Sequence, residues 1–282
     1  MERLEAAMVK ARAARQEALE RARAAKGGAK GVEGEGPEVA DQNGDQRADL
    51  AALPPVILSP DLARRQRLGA LLGQGPATPH DILRSRVVRQ MGEKGWKRLA
   101  VTSPTTKCGK STLALNLALS LARYGQFRIL LLDLDLRHPS LASLLELRDP
   151  PEITGLLRGG KLARHGYSYG PNLALVPNGL ARIDSAELLQ DATTLAALDR
   201  LEAEWRPDIV ICDLPPMQGN DDTLGFLPHV DCALIVAAAE MTTLPQLDRC
   251  ESEVGQLTNV LGVVLNKCRY TDRNTGFDQS YY

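Results

Sequence analysis

Residues 99–112, LAVTSPTTKCGKST, constrain this chain more than any other stretch. They read as an apolar strand, a tight loop and the start of a helix that continues through the leucine- and alanine-rich run to Arg123. A strand–loop–helix unit with Gly-Lys-Ser at the turn is the context a phosphate-binding loop requires. In such a loop the backbone N–H groups face phosphate oxygens, and the helix N-terminus favours negative charge. Thr106, Lys107, Cys108, Gly109, Lys110, Ser111 and Thr112 are therefore the candidate cradle. Lys110 reaches the terminal phosphates as a point charge, and the Ser111 hydroxyl sits on Mg²⁺. Two positions depart from the usual pattern, because Pro104 and Lys107 stand where glycines are common. The same Gly-Lys-Ser also fits a plain turn into an amphipathic helix with a solvated lysine, so the rest of the chain has to decide.

Downstream, short apolar runs alternate with helical segments. Runs at 128–132, 172–176, 208–212, 231–236 and 261–265 follow the first strand. This alternation predicts an α/β fold, a parallel sheet covered by helices on both faces, with ligands beyond the carboxyl ends of the strands. Several runs end in polar residues there: Asp133 and Asp135, then Asp213, then Asn266. One strand-end aspartate would be an ordinary turn or cap residue. Two strands ending in aspartate after a Gly-Lys-Ser loop predict a Mg²⁺–nucleotide site.

At 282 residues and 44% apolar, the chain can hold one α/β domain plus extensions. Its formal net charge of −1 gives no electrostatic case for nucleic acid. The five cysteines are scattered without a C-x-x-C pair, and most lie in apolar runs, as expected of buried thiols in a reducing compartment. No apolar run approaches the roughly 20 residues that cross a bilayer, so a cytoplasmic location is expected. Residues 1–26 are rich in Ala, Arg and Glu and predict a helix, either solvated or a docking segment for a partner. Residues 27–53 read as a disordered Gly- and acid-rich linker, 54–268 as the ordered domain and 269–282 as a mobile tail. The helix and linker make a flexible N-terminal extension.

These blocks resemble the bacterial tyrosine kinases of capsule and exopolysaccharide export, which have P-loop-type domains related to the partitioning and cell-division-positioning ATPases. The resemblance covers about residues 80–282. It rests on TSPTTKCGKS at 102–111, on LLLDLDLRHP at 130–139, on VICDLPP at 210–216, and on DSAELL at 184–189 and LGVVLNK at 261–267. It implies ATP and Mg²⁺ as cofactors, Lys110 on the β- and γ-phosphates, Ser111 on the Mg²⁺, Asp133 and Asp135 sharing metal shell and base, and Asp213 completing the metal site with Ser111 and Asp133. Arg137 either binds a phosphate or braces the loop, and Asn266 either meets the adenine or ends its strand. Lys107 either adds a second positive charge or points to solvent. Thr105 stands where the partitioning ATPases carry a signature lysine, which favours the kinase branch over a nucleotide-switched ATPase, the alternative reading.

Three of the six tyrosines, Tyr270, Tyr281 and Tyr282, fall in the last thirteen residues. By resemblance they form the cluster phosphorylated between neighbouring molecules. The family's self-association helix carries a Glu and two arginines three apart. The nearest match here is Asp81, Arg84 and Val87, which implies self-contact for transfer in trans but not a closed ring. The family further implies recruitment to the inner face of the plasma membrane by a transmembrane polysaccharide co-polymerase that also activates the kinase.

Overall fold

The apolar runs become strands because all but the last, the edge strand at 259–266, are buried on both sides, which a sheet sandwiched between helices provides. The computed structural model describes residues 50–72, 79–219 and 221–268. The strands are β1 (Arg98–Thr102), β2 (Ile129–Asp133), β3 (Tyr167–Tyr169), β4 (Leu173–Val176), β5 (Ile209–Asp213), β6 (Cys232–Ala238) and β7 (Asn259–Asn266). They form one sheet in the order β3-β4-β2-β5-β1-β6-β7. All pairings are parallel except β3 on β4. The sheet is thus mixed rather than wholly parallel. The antiparallel strand is three residues between Gly166 and Gly170, too short to show a period of its own.

Alternate residues feed two cores. Leu99, Val101, Ile129, Leu131, Ile209 and Ile211 face one side, against helices α1 (Pro79–Lys94) and α2 (Lys110–Tyr124). Ala100, Leu130, Leu132, Val210 and Cys212 face the other, with α3 (Ala192–Trp205) and α4 (Leu244–Leu257). Burying one such aliphatic side chain contributes about 1.5–3 kcal/mol. Nearly every residue of α2 from Leu113 to Ala122 is buried, so this helix is the central pillar of its layer. It starts at Gly109 (φ 87°) and stops at Gly125 (φ 77°), two left-handed positions suited to residues without a Cβ.

Within the stretch expected as linker, Leu50–Ala52 make a 3₁₀ turn, with Leu50 and Leu53 buried. Pro55 then bridges to Ser168 on β3, and the chain is fastened to α2. Asn116, in the middle of that apolar helix, accepts from the Ala70 N–H (3.0 Å) and donates to the carbonyls of Arg67 (3.1 Å) and Thr112 (2.8 Å). The expected N-terminal helix at 1–26 and the C-terminal tail at 269–282 lie outside the described residues. Among the described residues, no helix is long and apolar enough to cross a membrane.

The proposed self-association triplet is turned into its own subunit. Asp81 pairs with Arg84 (2.8 Å) and Arg123 and accepts from the Ser120 hydroxyl (2.7 Å), while Val87 is fully buried. A spacing of three on α1 placed these residues on the face that meets α2, not on an outer surface.

Candidate functional site

The loop between β1 and α2 lies at the carboxyl end of the sheet, and its backbone is held from several sides. Thr102 donates its hydroxyl proton to Pro215 O (2.7 Å), and the Ser103 hydroxyl closes onto Thr105 O (2.7 Å). The Met217 and Gln218 N–H groups donate to Ser103 O (2.8 Å) and Pro104 O (3.1 Å). The segment after β5 therefore fixes the first half of the loop. The two departures from the glycine pattern have different consequences. Pro104 is not among the residues with positive φ, so its ring fits, whereas Lys107 sits at φ 62°. That left-handed conformation costs a side-chain-bearing residue roughly 1–2 kcal/mol, which is why glycine is common at such a position.

Register brings the acidic residues together. Asp133 ends β2 and is the direct partner of Asp213 at the end of β5, whose other neighbour is Val101 on β1. Asp133 and Asp213 are fully buried and Asp135 almost so. The Lys110 ammonium lies among them, 2.6 Å from Asp135 Oδ2. Burial works against its charge, but Asp213, Asp135 and Asp133 outweigh that and hold its pKa above the ordinary lysine value. Both Asp133 and Asp213 are pushed above the usual carboxylate range. Burial is the main cause, with the Asp213 charge adding for Asp133 and Lys110 opposing for Asp213.

The hydrogen bonds divide the three carboxylates by task. Asp133 Oδ2 accepts from the N–H groups of Ser140 (3.1 Å) and Leu141 (2.9 Å), and Asp135 Oδ1 from that of His138 (3.1 Å). Asp133 Oδ1 and both oxygens of Asp213 are buried with no hydrogen-bond partner. Such orphaned acceptors are costly, and Asp213 lies beside the Ser111 hydroxyl at the start of α2. Oxygen donors of this kind fit a hydrated Mg²⁺ held jointly with nucleotide phosphates, since Mg²⁺ keeps several waters and takes only one or two carboxylates. Among the described residues, no three His, Cys, Asp or Glu side chains form a metal cage of their own.

Lys110, Ser111, Asp133, Asp135 and Asp213 therefore share one place, with the backbone of 106–112 above them. Two predicted residues are placed differently. Arg137 donates from Nε to the buried Asp222 (2.7 Å), which makes it a brace. The Asn266 amide donates to Cys108 O (2.9 Å), so it too holds the loop. Cys108 itself is buried against Thr105 O (3.2 Å) and the Thr242 hydroxyl (3.7 Å), and these contacts outweigh burial and lower its thiol pKa. Sequence reasoning missed Asp222, Thr242 and Lys267, whose Nζ reaches Lys107 O (2.6 Å). Lys267 adjoins a strand-end Asn already marked as of interest; nothing local pointed to the other two. Tyr270, Tyr281 and Tyr282 lie outside the described residues.

Comparison with known proteins agrees with this geometry. Residues 99–281 match the family model described as the CobQ/CobB/MinD/ParA nucleotide binding domain. Over 234 residues the chain is 26% identical to EpsB of Ralstonia solanacearum, an alignment covering 80% of this chain and 31% of that protein. It is 29% identical over 177 residues to the tyrosine-protein kinase CpsD of Streptococcus pneumoniae serotype 4, covering 61% of this chain and 76% of CpsD. The crystal structure of the VpsO kinase domain superposes with a TM-score of 0.62 at 26% identity, covering 74% of this chain and 98% of that domain. The chain thus spans about a third of EpsB and about three quarters of CpsD.

Proposed function

The chain belongs to the CobQ/CobB/MinD/ParA nucleotide-binding family, and from that premise we propose that it is an ATP-dependent protein-tyrosine kinase of the bacterial type. Its substrates are the C-terminal tyrosines of a neighbouring copy, and its role is to regulate exopolysaccharide or capsule assembly together with a membrane-embedded partner. Self-contact for transfer in trans and a place at the inner membrane face are part of the same reading. The observation that carries it is the juxtaposition of a half-buried lysine, 2.6 Å from Asp135, with the unpartnered oxygens of Asp133 and Asp213. A cation for phosphate and a proton acceptor for a hydroxyl stand side by side, and the similarity to CpsD, a tyrosine-protein kinase, supports tyrosine as the acceptor.

The chemistry follows from the residues. The loop N–H groups and Lys110 orient the γ-phosphoryl group and balance its charge, which is most of what phosphoryl transfer asks of a protein. A tyrosine hydroxyl, with a pKa of about 10, attacks more readily when a carboxylate takes its proton. Asp135 is already paired with Lys110, whereas Asp133 keeps Oδ1 free and its proton affinity is raised. Asp133 is therefore the better base. The tyrosine O–H proton passes to Asp133 as the new O–P bond forms, and the bond from the γ-phosphorus to ADP breaks. Ser111 and Asp213 would hold Mg²⁺, which supplies charge neutralisation on the phosphates.

The test is intact mass after incubation with Mg²⁺–ATP, for wild type, Lys110→Ala and the triple Tyr→Phe variant at 270, 281 and 282. Gains of one to three phosphates in wild type alone support the kinase, with a thermal melt checking that Lys110→Ala is folded. Lys110-dependent ATP hydrolysis without a mass gain would favour a nucleotide-switched ATPase instead.

A further inference from the structure

The second half of the phosphate loop is held by the last strand of the sheet. Asn266 Nδ2 donates to Cys108 O (2.9 Å) and Lys267 Nζ to Lys107 O (2.6 Å), so two consecutive side chains grip two consecutive carbonyls. The fit is close. A Cβ on Gly109 would lie 2.5 Å from Asn266 Nδ2, and Asn266 Oδ1 accepts from the Lys267 N–H (2.8 Å). Both ends of the Asn266 amide are thus used within the chain.

The peptide group turns this grip into a ligand-directing device. In a planar trans peptide, C=O and the following N–H point in opposite directions. Holding the carbonyls of Lys107 and Cys108 toward β7 therefore aims the N–H groups of Cys108 and Gly109 away from it, the directions in which a phosphate-binding loop presents its donors. The grip also retains Lys107 at φ 62°, a conformation a lysine does not hold unaided.

We propose that Asn266 and Lys267 are positioning residues for nucleotide binding, which keep the N–H groups of Cys108 and Gly109 aimed at the phosphates. This rests on the nucleotide-binding part of the function given above and not on its kinase part. Lys267 stands only three residues before Tyr270, so the root of the C-terminal segment and the loop are gripped at one point. Any change in that segment that draws Lys267 away loosens the phosphate site, and nucleotide binding restrains Lys267 in return.

The experiment titrates the full-length protein with a fluorescent ADP analogue and Mg²⁺, for wild type, Lys267→Met, Lys267→Arg and Asn266→Asp. Melting of the nucleotide-free proteins is followed in parallel. Lys267→Met should weaken binding about tenfold, the equivalent of one good hydrogen bond. Lys267→Arg should restore it to within about threefold, since its guanidinium still donates. Asn266→Asp, which places an acceptor against an acceptor, should weaken binding at least as much. Nucleotide-free melting of Lys267→Met should match wild type, because Lys267 is exposed. Wild-type affinity in Lys267→Met, failure of Lys267→Arg to rescue, or losses that track a lowered melting temperature would each overturn the proposal. If wild type binds no ADP, the nucleotide reading falls and this one with it. Binding is the readout, so absence of phosphoryl transfer does not enter.

Discussion

Asp133 shows how the base proposed above and a stability cost can sit on one side chain. It is fully buried, one oxygen is occupied by the N–H groups of Ser140 and Leu141, and the other has no partner. Burial, and then the charge of Asp213, raise its pKa above the unfolded value. The folded protein consequently binds this proton more tightly than the unfolded chain does. Stability from that group is complete below the unfolded carboxylate pKa and is lost as pH climbs through the raised folded value. Asp133→Asn removes the charge and with it the loss. In metal-free buffer the variant's melting temperature, relative to wild type, should be about 3 °C or more higher at pH 8 than at pH 5, given about 1.4 kcal/mol per pKa unit. Tyrosine phosphorylation should fall by about a hundredfold or more, the usual contribution of a general base. An identical offset at both pH values would show that the buried carboxylate is not what limits stability at high pH.

At the level of elements, α2 joins the phosphate loop to the N-terminal strap, and Asn116 is the joint. Its three hydrogen bonds reach Ala70 N, Arg67 O and Thr112 O from the middle of a helix that is otherwise almost wholly apolar. Asn116→Leu keeps the volume and helix propensity but leaves the Ala70 N–H and Arg67 carbonyl without their partner. A loss of about 2–4 kcal/mol in urea unfolding is expected, at about 1–3 kcal/mol per buried unsatisfied group; a loss under about 0.5 kcal/mol would mean the strap is held by packing alone. In sequence, Asn116 lies inside a leucine- and alanine-rich run and carries no local signal of its partners. Strands β1, β2, β4, β5 and β6 were legible because burial on both faces writes a continuous aliphatic run, and β7 because its edge position still keeps one. Strand β3 was not, because three residues between glycines carry no period, and its pairing with β4 is a tertiary choice. The Asp81, Arg84 and Val87 spacing was visible too, but spacing names a helix face without saying what covers it.

Across the whole molecule, the site gathers the ends of β1, β2, β5 and β7, with Lys110, Asp135, Asp213 and Lys267 drawn from distant parts of the chain. The chemistry of Lys110 and the aspartates was readable, because aspartates after apolar runs beside a Gly-Lys-Ser loop point together to one site, whereas Lys267 was not marked. Who bonds to whom was not readable, since Arg137 on Asp222 and Asn266 on Cys108 depend on how neighbouring strand ends meet in space. The assembled site is under electrostatic strain without its ligand: one lysine faces three carboxylates, and three buried carboxylate oxygens lack partners. A nucleotide with Mg²⁺ would relieve that strain, and its binding energy would appear as stability of the entire domain. At a hundred times Kd, binding to the folded state alone contributes about 2.7 kcal/mol, or about 5–10 °C in melting temperature for a domain of this size. Mg²⁺–ADP should produce that shift, and a chelator should cancel most of it, because ADP alone brings further negative charge to the carboxylates. The shift should also be larger at pH 8 than at pH 6. Burial raises the proton affinity of Asp213, so at the lower pH a bound proton must leave before the cation can be held. A shift independent of the chelator and of pH would mean that the nucleotide is bound by the loop alone and that the acidic centre has another use.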